Sequence, residues 1–144
     1  MTLYQVVKGL ERIALTHPNV RTAKDGNVYD LLNVADPSEY CYIVVSQTTH
    51  RQTEQFDHYG FNIFFIDRLV DNLESNRLQI QSIGKQILGN VVATFCETYD
   101  IDFPTITYHP FTQKFLDECA GQYASFELEI PRDIICAEYF DENE

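Results

Sequence analysis

His50, Asp57 and His58 are the residues whose types and spacing come nearest to chemistry in this chain. Two imidazoles and a carboxylate are the donor set of a hydrolytic metal site, and a hairpin that placed them cross-strand would bring them together. A third firm ligand is not evident, so the pattern reads first as two solvated loop histidines. Asp67-Arg68, at the end of an apolar run, has the placement of a catalytic pair, but a local ion pair fixing a strand-to-helix corner accounts for it. Asp100 and Asp102 could form an acid–base pair, yet they sit in a turn with no apolar wall to raise a pKa. Ser82 and Ser125 lack a nucleophile-elbow context, and Gly84, Lys85 and Gly89 have the wrong order for a phosphate loop. Cys41, Cys96, Cys119 and Cys136 show no C-x-x-C spacing and read as free buried thiols in a reducing cytoplasm, not as a zinc site or a disulfide framework. No catalytic, cofactor-binding or metal residue is therefore assigned, and an enzyme is not expected.

Charge narrows the partners. Ten Lys and Arg face 22 Asp and Glu across 144 residues, a formal net charge of −12. Such a surface cannot neutralise a run of phosphates, so sequence-specific nucleic-acid binding is not expected. No uncharged apolar segment reaches membrane-spanning length. The N-terminus has no basic region ahead of a long apolar run, so no signal peptide is expected and synthesis takes place in a cytoplasm.

The elements that would position these groups form one α+β domain over residues 1–137, followed by an acidic tail, 138–144. Thr2 with Gln5 makes a capping-box pattern, and Leu3, Val6, Val7, Leu10 and Ala14 lie on one face of a first helix over residues 2–16. His17-Pro18-Asn19 ends it. Asn27–Asn33 is expected as a weak strand carrying Val28, Leu31 and Leu32. Tyr40–Thr49 and Phe56–Asp67 are expected as an antiparallel hairpin joined by the loop "HRQTEQ". Phe61, Ile63 and Phe65 share one face of the second strand. Asn62, Phe64 and Ile66 share the other, so that strand needs cover on both sides, by a helix on one and a neighbouring subunit on the other. A long helix from Ser75 carries a stripe of Ile80, Ile83, Ile87, Leu88, Val91, Val92 and Phe95, with Gly84 on it and Gly89 beside it for close backbone approach. Thr105–Phe111 is a short strand broken by Pro110, and Phe111–Cys119 is mixed. In Gly121–Ile130, Ala124, Phe126, Leu128 and Ile130 point one way and Tyr123, Ser125, Glu127 and Glu129 the other. The order α-β-β-β-α-β-β implies two helices on a mainly antiparallel sheet.

Those parts together resemble the tail-terminator and head–tail neck (connector) ring proteins of tailed bacteriophages. The resemblance rests on the helix Leu3–Leu15, the hairpin Tyr40–Thr49 with Phe56–Asp67, the Asp67-Arg68 pair, the helix Ser75–Thr98, and "HPFTQKFLDECAGQYASFELEIP" with its Ala120-Gly121 pair before an alternating strand. It spans Leu3 to Cys136 and consists of periodicity patterns, with no catalytic residue to carry over.

The resemblance implies a tail-terminator-like fold in a virion structural protein without enzymatic activity or cofactor. It further implies a homo-oligomeric ring, six- or twelvefold, around the DNA channel, touching adjacent neck, portal or tail proteins. Candidate subunit-interface residues are Phe64, Ile66, Arg68, Tyr139 and Phe140. Glu127 and Glu129 read either as part of an acidic channel lining or as the solvated face of an amphipathic strand. The tail, with Glu138, Asp141, Glu142 and Glu144 around Tyr139-Phe140, reads either as a docking peptide or as a dispensable end. The alternatives are a soluble α+β binding or accessory protein and, third, a small metal-dependent hydrolase using His50, Asp57 and His58.

Overall fold

The computed structural model describes residues 1–33, 37–69, 74–114 and 118–132. Helix α1 (Leu3–Ala14) begins at Thr2, whose hydroxyl accepts the Gln5 backbone N–H at 3.2 Å while the Gln5 side chain accepts the Thr2 N–H at 2.9 Å. Val6, Leu10 and Ala14 are its buried stripe. The next strand, β1 (Thr22–Asp25), runs parallel to β2 (Tyr42–Gln52), and β2 forms a hairpin with β3 (Phe56–Arg68). Helix α3 (Glu74–Tyr99) then crosses to β4 (Thr107–Lys114) and β5 (Glu118–Pro131). The sheet order is β1-β2-β3-β5-β4, mixed through the single parallel pair β1·β2. The fold is α+β, as expected.

Both α1 and α3 lie on one face of the sheet. Strand alternation sends Tyr59, Phe61, Ile63 and Phe65 to that face, where Ile80, Ile87, Leu88, Val91, Val92 and Phe95 meet them. Ile83, expected on the same stripe, is 43% exposed and stands at its rim. Gly84 brings α3 down onto Phe65, for a Cβ there would stand 2.8 Å from the ring. Gly9 does the same between α1 and Phe95.

Several expected elements need correction. Residues 27–33 are not a strand: Val28–Leu32 is a short helix, α2, whose N-cap Asn27 accepts the N–H groups of Tyr29 and Asp30. An Asx cap outweighs the weak β-propensity of the segment. The strand in this region is the preceding "TAKD" of β1. β2 continues through Gln52, so the first half of "HRQTEQ" is ladder, and His50, Arg51 and Gln52 pair with Tyr59, His58 and Asp57. Pro110 does not break β4, because β4 is an edge strand with a side that needs no donor.

The second face of the sheet has its own cluster. Val28, Leu32, Tyr40, Tyr42, Val44, Ile66 and Cys119 bury one another under α2. The cover expected from a neighbouring subunit over Ile66 is thus supplied by the chain itself. Ile66 is wholly buried and offers no surface to a partner. Cys136 and the acidic tail, with Tyr139 and Phe140, lie outside the described residues.

Candidate functional site

Beyond α2, no described helix covers the second face across β3, β5 and β4. Register aligns Phe64 with Tyr123 and Tyr123 with His109. Their rings make one row over three strands: His109 stacks on Tyr123 at 4.6 Å and 21°, and Tyr123 lies 4.9 Å from Phe64. Phe111 closes the row edge-on to Phe64 at 6.0 Å. All four rings are half-buried. Asn62 and Ser125 follow, joined by a 2.6 Å hydrogen bond that the Ser125 hydroxyl donates. That bond occupies the only serine of the late strand, and Ser82 stands exposed on α3.

Farther along the same face the surface becomes charged. Arg51 donates to Glu127 at 3.1 Å, while His58 Nδ1 lies 3.7 Å from Glu127 and 3.9 Å from Glu129. His58 is 8% exposed, so it is a buried strand residue and not the solvated loop histidine expected. His50 is exposed but also lies in a strand, on the opposite face, where its Nε2 meets Asp57 at 2.9 Å and its ring lies against Tyr59. The sheet therefore separates the two histidines, and one ion cannot take both. Among the described residues no group of three His, Cys, Asp or Glu side chains is placed to hold a metal.

The Asp67-Arg68 corner is built differently from the expected ion pair. Asp67 accepts the Arg68 backbone N–H at 2.8 Å, and the Arg68 guanidinium lies 5.8 Å from the centre of the Tyr40 ring. Asp67 also lines a pocket of about 310 Å³ between the start of β2, the end of β3 and α3, with Tyr40, Cys41, Phe65, Ile80 and Ile83 as its apolar walls and Arg21 at its edge. No motif in the sequence marks it, since its lining comes from four separate segments.

Cys41 in that pocket has its thiol pushed up to about 12, first by burial and then by the carboxylate of Asp67. At pH 8 it is almost wholly protonated, and the thiolate is the reactive species. Alkylation of the native protein at pH 8, mapped by peptide mass, should leave Cys41 unmodified over a period that labels it fully in denaturant. Labelling at equal rates would place the thiol in water.

Asp100 and Asp102 are exposed beyond the C-terminus of α3, Asp100 at a positive φ of 55°, and Lys85 lies over the ring of Tyr108 at 5.5 Å. Neither place assembles a reactive group. No helix among the described residues is long and apolar enough to cross a membrane. No protein-family model matches the chain, and no curated protein matches it.

Proposed function

We propose that this chain is a non-enzymatic virion structural protein that assembles into a ring at the head–tail junction, as a neck, connector or tail-terminator subunit around the DNA channel. Its partners are further copies of itself and the adjacent neck, portal or tail proteins. It is made in the host cytoplasm and resides in the particle. The observation that carries this reading is the division of the sheet into one face sealed by α1 and α3 and a second face that, among the described residues, only α2 covers in part. Beyond α2 that face holds a row of aromatic rings and, past the Asn62–Ser125 pair, the carboxylates of Glu127 and Glu129. Aromatic surface of this kind is what association uses, because it supplies large apolar area at small entropic cost. The carboxylates of that face and the net charge of −12 favour a lining that repels DNA over one that holds it.

Phe64 and Arg68 remain candidates for subunit contact, and Glu127 and Glu129 for the lining, with Glu127 already paired to Arg51. Native mass spectrometry at high protein concentration, together with images of the particle neck, should find a closed six- or twelvefold ring. A chain that stays monomeric and is missing from particles would overturn the proposal.

A further inference from the structure

We infer that the pocket beside Asp67 is a binding site for a small zwitterion, an α-amino acid with an apolar side chain, whose carboxylate meets Arg21 and whose ammonium meets Asp67. The place follows from register. The Arg21 N–H donates to the Cys41 carbonyl at 3.0 Å, one residue ahead of the parallel pair Thr22–Tyr42. Tyr42 pairs in turn with Ile66, and the next step along that hairpin sets Cys41 beside Asp67. Arg21, Cys41 and Asp67 therefore stand in a row across the ends of three neighbouring strands, and all three line the pocket. Cys41 packs against the core under α1 and α3, so the row faces the helices.

The row carries one charge of each sign. Burial first pushes the Cys41 thiol up, Asp67 pushes it further and Arg21 pulls it back, so both charges act at one point. Neither has an ion-pair partner among the described residues, and one Asp67 oxygen accepts the Arg68 backbone N–H at 2.8 Å. A lone cation in this pocket would meet Arg21, and a lone anion would meet Asp67. A ligand with both charges satisfies both groups at once.

The other walls fix the ligand's size and its third group. Phe65 and Ile80 are buried and Ile83 is 43% exposed at the mouth, so an apolar side chain has a surface to cover. The volume, about 310 Å³, is at the small end of ligand sites and suits an amino acid better than a nucleotide or a larger cofactor. The inference does not rest on the ring reading, since every group it uses belongs to one chain.

The test is calorimetric titration of the full chain with leucine, leucinamide and N-acetylleucine. Leucinamide lacks the carboxylate, and N-acetylleucine lacks the ammonium. Leucine should bind saturably, and each analogue at least about tenfold more weakly, the loss of one charge-assisted contact. Arg21→Gln should abolish leucine's advantage over leucinamide and keep its advantage over N-acetylleucine, and Asp67→Asn should do the reverse. Arg21 is exposed, and the amide of Asp67→Asn still accepts the Arg68 N–H, so the melting curves of both variants should hold. A residue that only shaped the pocket would weaken all three probes together. No saturable binding of leucine, an analogue that binds as tightly, or preferences that neither variant moves would each overturn the inference. Should Asp67→Asn fail to fold, Arg21→Gln decides alone.

Discussion

Replacing Val91 with Asp leaves the chain unfolded at room temperature. Val91 is wholly buried between α3 and the sheet, in a cluster with Ile87, Leu88, Val92 and Phe95 that contains no cation. An aspartate there either carries an uncompensated charge or takes up a proton, and both cost several kcal/mol on top of the lost methyl packing. Against a total stability of about 5–15 kcal/mol, that loss is decisive. Ala93→Asp on the same helix is the control, because Ala93 is exposed and loses only helix propensity, about 0.5–0.7 kcal/mol. Circular dichroism against temperature separates them: no cooperative transition for Val91→Asp and a near-native one for Ala93→Asp. Native melting of Val91→Asp would mean that α3 presents a different face to the sheet.

Gly121→Ala should be almost as damaging, although it adds one methyl group. A Cβ at Gly121 runs into the carbonyl oxygen of Phe65 on the neighbouring strand and crowds the Phe111 ring on the other side. A side chain can swing away, but a ladder carbonyl cannot move without dragging Ile66 and Phe65 out of register with Gly121 and Gln122. Overpacking costs about 1–3 kcal/mol when rotamers absorb it, and a backbone obstacle belongs at or above the top of that range. The melting temperature should fall by about 10 °C or more. The same change at Gly84 makes the contrast, since there the obstacle is the Phe65 ring and alanine gains about 1 kcal/mol of helix propensity. A Gly121→Ala chain no less stable than Gly84→Ala would show that β3 and β5 approach less closely at this point.

What the sequence made legible was whatever depends on local repetition. The capping box at Thr2, the stripe of α3 and the alternation of β5 are each written within one segment, and each is present in the fold. The misreadings lie where tertiary placement decides. "TAKD" carries no strand signal of its own and becomes β1 because β2 offers it a parallel ladder. "HRQ" is polar on both faces yet continues β2, because β3 supplies a full-length partner. His58 looks like a loop residue in sequence and is buried because Phe56, Arg51 and the carboxylates of β5 crowd around it. Of the candidate site, the alternation of β5 announced Tyr123, Glu127 and Glu129 on one face. The ring row with His109, which needs β4 in register, was not visible, and neither was the pocket.

The short length of β1 has one further effect. It pairs with β2 only from Tyr42 to Val45, so from Gln47 to Gln52 the outer backbone of β2 faces no described strand. The opposite border, β4, has Pro110 in its middle and lacks a donor there. The two borders are thus unequal templates for stray strand pairing. One is blunted by its proline, the other only by the irregularity between Gln47 and Thr49 and the charge of Arg51. When many copies are made at once, unwanted sheet-to-sheet association should start from the β2 border, and selection for solubility bears more heavily on "QTTHRQ" than on β4.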